Sequence, residues 1–433
     1  MERQIAQFMI AAPMSGSGKT TVSRMLMAAF TQRGIRVQPY KCGPDYIDTK
    51  FHAAVCGRDS VNLDTFMASA PHVKRVYATY AQDAETCIVE GMMGLFDGYH
   101  HAQGSSGEIA RLLQLPIILV VNARSMAFTL QPLLNGLLRY DRKTHICGII
   151  YNNVGSPRHR KLLQEVTEQL GIKCYGYLPH NNELETTSRY LGLDFTEAEA
   201  SEGCRRLATL AEQHLDVEGL IADMKLPIPE DRALTLKPSK GWNIMVARNK
   251  ESFSFIYKEH IDLLKRMGNV RYFDPEEKKS IPSDTDLLYL PGGYPEKHAR
   301  ALSQARSCIG SIRRYAEKGG KILAECGGMI YLSEGIETDK GFMPLAGVLP
   351  FRITVRKADL RLHLGYRQFQ IGKTIIRGHE FHYTNIIGPA KGNFTVKNAQ
   401  GETVSTQVFR HHNVVASYTH LYLGETNIEN LFR

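Results

Sequence analysis

A chain of 433 residues is longer than one ordinary core supports, so two or more domains are expected. Hydrophobic content of 43% and charged content of 22% are ordinary for a soluble globular enzyme. The formal charge of +9 is spread over dispersed lysines and arginines, without a basic block. A negatively charged small molecule explains it as well as nucleic acid does. The longest apolar candidate, Leu115–Val121, is too short to span a bilayer. Met1-Glu2-Arg3-Gln4 leads straight into a strand rather than a cleavable leader. Eight cysteines without CxxC spacing argue against a zinc site or a disulfide framework. A cytoplasmic protein is expected, with no membrane or nucleic-acid partner.

The first half alternates short apolar runs with helical patterns. Strands are predicted over Phe8–Ala12, Arg36–Tyr40, Thr86–Glu90, Pro116–Val121, Cys147–Tyr151 and Lys173–Tyr177. Helices are predicted over Lys19–Arg33, Gly107–Leu113 and Pro157–Leu170. Strands apolar on both faces fit a parallel sheet covered by helices, placing residues 1–224 in one α/β domain. Prolines and charges without periodicity mark 225–241 as a linker. A second α/β alternation occupies 242–433, with strands at Trp242–Ala247, Asn269–Phe273, Asp286–Leu290 and Lys321–Glu325 and a helix at Ser254–Met267. After Gly347 the pattern becomes strand-rich.

The first chemical signature lies between the first strand and the first helix. Ser15-Gly16-Ser17-Gly18-Lys19-Thr20-Thr21 is a phosphate-binding loop: glycines turn backbone N–H groups toward phosphate, the lysine reaches the terminal phosphates, and the Thr20 hydroxyl holds Mg²⁺. Proline stands at position 13, where the strict pattern wants glycine. Two further loops follow strand ends, the usual ligand crevice of open α/β sheets: Lys41–Asp48 and Glu90–Gly98. Glu90 and Asp45 are candidate Mg²⁺ ligands, and Asp45, Asp48 and Asp97 candidates for positioning metal or substrate. For Asp45 and Asp48 the competing expectation is that they cap a turn and a helix.

The second signature is Lys321-Ile322-Leu323-Ala324-Glu325-Cys326-Gly327-Gly328, an apolar strand breaking into a cysteine followed by glycines. Such a turn exposes sulfur at the sheet end as a nucleophile. The amide of Gly327 and the glycines of Leu290-Pro291-Gly292-Gly293 are candidate oxyanion donors, and His420 is the candidate base. Arg377-Gly378-His379-Glu380-Phe381-His382-Tyr383 lacks the helical HExxH spacing. Its histidines, three apart in a strand, point to opposite faces, so polar lining or packing is expected there rather than zinc.

These motifs occur in the order found in the CobB/CobQ-type glutamine-dependent amidotransferases, and the chain resembles the cobyrinic acid a,c-diamide synthase family over nearly its whole length. The loop around Lys19 also resembles those of dethiobiotin synthetase and the partitioning ATPases. The resemblance implies a dethiobiotin synthetase-like P-loop domain joined to a class I glutamine amidotransferase-like domain. It implies that Cys326 and His420 release ammonia from glutamine, while MgATP activates a carboxylate of a tetrapyrrole polycarboxylic acid as an acyl phosphate. Two side chains of cobyrinic acid, a and c, would be amidated in turn. Asn152 falls where related folds meet adenine. Class I glutaminases usually carry Glu two residues after the histidine; here Leu421-Tyr422 follows, so a Cys–His dyad is implied. Close relatives act on hydrogenobyrinic acid or on sirohydrochlorin-derived acids, and cobyric acid synthase amidates other side chains. A partitioning-type switch ATPase shares the loop but has no use for Cys326 or His420.

Overall fold

The computed structural model describes residues 3–180, 197–230 and 241–433, and for 197–200 the backbone only. The chain divides into two compact units, Met1–Thr65 with Ser69–Leu234, and Phe66–Ala68 with Thr235–Arg433.

In the first unit the strands are β1 (Gln4–Ala11), β2 (Val37–Cys42), β3 (Val61–Leu63), β4 (Thr86–Glu90), β5 (Ile117–Asn122), β6 (Ile146–Val154), β7 (Lys173–Pro179) and β8 (Lys225–Pro227). They form one sheet in the order β3-β2-β4-β1-β5-β6-β7, with β8 added antiparallel to β1. All other pairings are parallel. Parallel order requires crossovers, and helices supply them: α1 (Lys19–Gln32) follows β1 and α2 (Ile47–Cys56) follows β2. The core is built from Phe8 and Ile10 of β1, Met25 and Phe30 of α1, and Ile118 and Val120 of β5, all fully buried. The sheet order reverses at β1, so its loop opens into the crevice where doubly wound folds bind ligands.

The expected linker begins later than its composition implied. Lys225–Pro227 pairs with Gln4–Ala6, and the amide of Gln7 donates to the Leu226 and Pro227 carbonyls at 3.1 and 2.8 Å. A proline-flanked segment is tolerated because it adds at one place only and is three residues long. Of the rest of the expected linker, residues 231–240 lie outside the described residues.

The second unit centres on a six-stranded sheet, β10-β9-β11-β12-β20-β19. Its strands are β9 (Trp242–Ala247), β10 (Gly268–Phe273), β11 (Leu287–Leu290), β12 (Lys321–Glu325), β19 (Val408–His411) and β20 (Val414–Ser417). Alternate residues face two separate cores: Met245, Leu288, Leu290, Ile322 and Ala324 on one side, Ile244, Val246, Leu287, Tyr289 and Leu323 on the other. Both faces are therefore covered, which explains the continuous apolar runs. The later region adds a four-stranded sheet of β13 (Gly335–Thr338), β14 (Gly341–Pro344), β15 (Arg352–Thr354) and β18 (Asn385–Ile387). A three-stranded sheet joins β16 (His363–Ile371), β17 (Thr374–His382) and β21 (His420–Leu421).

The helix expected over Ser254–Met267 spans only Lys258–Met267. Ahead of it, the amides of Ser254 and Phe255 donate to the Gly292 carbonyl at 2.9 and 3.0 Å, so this stretch is held against the glycine loop instead of turning helical.

Candidate active site

The first unit gathers buried charge at the ends of its central strands. Lys19 and Thr20 open α1, where unpaired helix amides favour an anion. Gly16 and Gly18 have φ of 76° and 101°, a left-handed backbone that glycine adopts without strain. At Gly18 the fit is also steric, because a Cβ there would come within 2.3 Å of Asn152 Nδ2. That amide donates to the Ser17 carbonyl at 3.0 Å, and Asn152 Oδ1 accepts from the Asn153 amide. Asn152 therefore braces the loop from the end of β6.

Thr20 Oγ1 donates to Glu90 Oε1 at 2.7 Å, and Lys19 Nζ donates to the Met93 carbonyl at 2.5 Å. Glu90 also accepts from Lys41 Nζ at 2.9 Å and from His52 Nε2 at 2.7 Å, and Lys41 reaches Asp48 at 2.8 Å. Burial opposes ionisation of Glu90, but Lys41, His52 and Thr20 together hold its pKa well below the usual carboxylate range. Burial, reinforced by Glu90, pushes Asp48 up to about 6 against the pull of Lys41. Burial and the nearby Lys41 lower the pKa of Lys19, opposed by Glu90, Asp48 and Asp97.

The structure brings together Lys19, Thr20, Glu90 and Asp48. It employs two other candidates in local turns. Asp45 Oδ1 accepts from the amides of Ile47 and Asp48, both at 2.8 Å, capping the start of α2. Asp97 Oδ2 accepts from the Gly94 amide at 2.9 Å and shapes the loop that lies on Ala12 and Pro13. Of the capping expectations, then, Asp45 fulfils one, whereas Asp48 pairs with Lys41. Sequence reasoning passed over Lys41 and His52. The signal for Lys41 was a lysine in a strand with no exposed position, since a buried lysine demands a carboxylate partner.

The second unit's site is built on backbone geometry. Cys326 follows β12 with φ 45° and ψ −104°, a strained conformation for a residue with a Cβ, and its amide donates to the Ser417 carbonyl at 2.7 Å. The helix Gly327–Leu332 follows at once. The backbone amides of Gly327 and Gly293 favour the charged form of the thiol, but burial dominates and raises the Cys326 pKa, with Glu296 and Glu380 adding to the rise. His420 is equally buried. Burial, with His379 and His382 adding to it, lowers its pKa to about 3. Burial thus favours a neutral thiol at Cys326 and a neutral imidazole at His420.

Gly292 has a different place from the donor role expected of it. It is bridged to Phe255, and a Cβ on it would lie 2.1 Å from His420 Cε1. It makes room for the His420 ring, while Gly327 and Gly293 lie against each other next to Cys326. Tyr422, standing where class I enzymes carry glutamate, donates its hydroxyl to the buried carboxylate of Glu259.

Beside this centre, Arg367 Nε donates to Glu380 Oε2 at 2.5 Å, and His382 Nε2 meets Glu380 Oε1 at 2.7 Å. Burial works against ionisation of Glu380, but His382, Thr406 and Arg367 outweigh it and hold its pKa at about 2. His382 and Glu380 share the inner face of β17, which alternation denies to His379. His363, Glu380 and His382 offer ligand atoms within 4.8 Å of one another. The two imidazole rings nevertheless stack at 4.7 Å with planes 6° apart, so their in-plane lone pairs run parallel and do not converge on one ion. His382 also stacks on Tyr418 at 3.6 Å, which makes the cluster a packed support for the strand leading to His420.

Residues 8–191 match the CobQ/CobB/MinD/ParA nucleotide-binding domain family, and residues 243–428 match the CobB/CobQ-like glutamine amidotransferase domain family. A cobyrinate a,c-diamide synthase of Caldanaerobacter subterraneus subsp. tengcongensis is 38% identical, over 96% of this chain and 95% of the relative. The chain belongs to the a,c-diamide synthase family. A hydrogenobyrinate a,c-diamide synthase of Brucella anthropi is 36% identical over 96% of this chain and 99% of its own. A cobyrinate a,c-diamide synthase of Priestia megaterium is 35% identical over 98% and 96% respectively. Membership makes the chain an amide-forming ligase that uses ATP and glutamine, and it agrees with the α/β fold and the two motif sets expected above.

Proposed function

We propose that the chain amidates the a and c side-chain carboxylates of cobyrinic acid in the cytoplasm, where ATP and glutamine are supplied. The nucleotide work is assigned to residues 1–224 and the glutaminase work to 242–433. The reading is carried by one observation: a single chain holds both Lys19 and Thr20 set against an ionised Glu90 and a strained Cys326 lined by two amides.

At the first site a substrate carboxylate oxygen attacks the γ-phosphorus, and the bond to the ADP oxygen breaks. The loop Ser15–Thr21 cradles the phosphates, Lys19 neutralises charge on the transferring group, and Asn152 keeps the loop in shape on the adenine side. Mg²⁺, held by the Thr20 hydroxyl oxygen and Glu90, with Asp45 as a further candidate, would neutralise phosphate charge; hydroxyl and carboxylate are the hard oxygen donors it prefers. Thr20 can keep donating its proton to Glu90 while offering a lone pair. Asp48 and Asp97 lie close enough to influence Lys19 and are assigned to positioning the metal or the substrate.

At the second site His420 takes the thiol proton as Cys326 sulfur attacks the glutamine amide carbon. Gly293 and Gly327 amides stabilise the oxyanion. His420 returns the proton to nitrogen, ammonia leaves, and water releases glutamate from the thioester. Ammonia then attacks the acyl phosphate carbon and expels phosphate, leaving the amide.

Hydrogenobyrinic acid is the second reading, favoured by relatives of that name at nearly equal identity. Incubation of each acid with glutamine and MgATP, followed by mass spectrometry, should show two successive carboxylate-to-amide steps on the true substrate. Absence of amidation on every tetrapyrrole acid offered would overturn the reading.

A further inference from the structure

The segment carrying His420 is pinned on both sides of the base, and one of the pins is the residue just before the nucleophile. Ser417 accepts the Cys326 amide with its carbonyl and the Thr419 amide with its hydroxyl oxygen, at 2.7 and 3.0 Å. Beyond the base, the Leu421 amide donates to Glu325 Oε1 at 3.1 Å. The other oxygen of Glu325 meets the Tyr289 hydroxyl at 2.9 Å, inside the sheet. Glu325, Leu421 and Tyr289 are each about 1% exposed, so no water replaces these bonds.

A carboxyl group in an apolar core is costly, and the same strand position would pack with leucine. Its placement is what distinguishes it. Glu325 belongs to β12 and shares a peptide bond with Cys326, while Leu421 shares one with His420. One side chain therefore couples the nucleophile's strand to the base's strand across two different sheets.

We infer that Glu325 is a positioning residue for the glutaminase reaction, its carboxyl holding the backbone beside His420 in register with Cys326. The inference rests on the assignment of Cys326 and His420 above. It works through position, since the side chain touches the amide of Leu421 and not the imidazole. Burial raises the Glu325 pKa to about 8, so at neutral pH the bracket is largely the uncharged acid and adds little negative charge beside the thiol. Glutamine is an isostere of that neutral form: its carbonyl accepts from Leu421 and its amide donates to the Tyr289 oxygen.

The test compares Glu325→Leu with Glu325→Gln in the full-length enzyme, supplied with either glutamine or free ammonia. Glu325→Leu should lose about 10²-fold in glutamine-dependent kcat, the scale of an ångström misplacement, with KM for glutamine little changed and ammonia-dependent amidation intact. Glu325→Gln should retain most of the glutamine-dependent rate. It should also lack the fall in rate expected of the parent enzyme as Glu325 ionises with pH rising through about 8. Parental turnover in Glu325→Leu, or equal damage in both variants, would overturn the inference. If Glu325→Leu fails to fold, seen as loss of the ammonia-dependent reaction as well, Tyr289→Phe serves. Removing that hydroxyl should cost roughly 3- to 10-fold in the glutamine-dependent rate alone, and no change would overturn the inference. Cys326→Ala in the same assay separates the readings: continued glutamine use there would remove the site itself rather than its bracket.

Discussion

The two sites solve opposite electrostatic problems. At the phosphate loop, Lys41, His52 and Thr20 keep Glu90 ionised in a fully buried position, and the charges are in place before any ligand arrives. At the cysteine, burial keeps both Cys326 and His420 uncharged, and what is prepared in advance is a strained backbone and two amides. The difference follows from the chemistry. Phosphoryl transfer needs charge stabilised from start to finish, whereas a thiolate formed without glutamine would be exposed to oxidation and wasted turnover.

The sharpest way to break this comparison is to remove one site and feed the other. Cys326→Ala should abolish glutamine-dependent amidation and leave the reaction with high ammonia, measured as amide product. Lys19→Ala should reduce amidation about 10²- to 10³-fold with either nitrogen source. A mutant of either kind that loses the wrong pair of activities would end the division of labour.

Gly292→Ala tests the backbone half of the argument. Its Cβ would stand 2.1 Å from His420 Cε1, so the base must shift. Glutamine-dependent kcat should fall about 10²-fold while the ammonia reaction is spared. Glu90→Gln tests the charged half: it leaves Lys41 with Asp48 alone and His52 without its carboxylate, and should cost about 3–5 kcal/mol of stability in urea unfolding.

A further test lies in pH, at the acid end of the range. His420 is lowered from 6.5 to about 3 on folding, so the unfolded chain binds the extra proton first. Its contribution makes stability fall as pH drops from 6.5 toward about 3, and His420→Gln should flatten that slope. Glu90 acts in the same direction: its depressed pKa adds stability above the ordinary carboxylate value, lost as pH falls through the folded value. Asp48 acts oppositely, because its raised pKa makes stability fall as pH rises from 3.8 to about 6.

Much of this architecture was legible in local pattern. Apolar runs with helices between them announced parallel sheets, and Gly18-Lys19-Thr20 and Cys326-Gly327 announced their chemistry because each needs a particular backbone turn. Element edges were less legible. Ser254–Tyr257 looks helical until the Gly292 carbonyl takes two of its amides, and Lys225–Pro227 looks like linker until β1 offers an edge. Both depend on partners tens to hundreds of residues away.

The amino-acid sequence by itself marked the candidates for chemistry: the loop lysine, the strand-end glutamate, the elbow cysteine and the distant histidine each stand in a recognisable local pattern. Tertiary structure decided what state those groups are in and what holds them. That Asp45 caps a helix while Asp48 faces Lys41, that Gly292 admits a ring instead of donating a proton, and that Glu325 braces Leu421 are all set by burial and by contacts between separate strands. Charge and position in a protein interior depend on the whole surrounding shell, and no stretch of neighbouring residues specifies that shell.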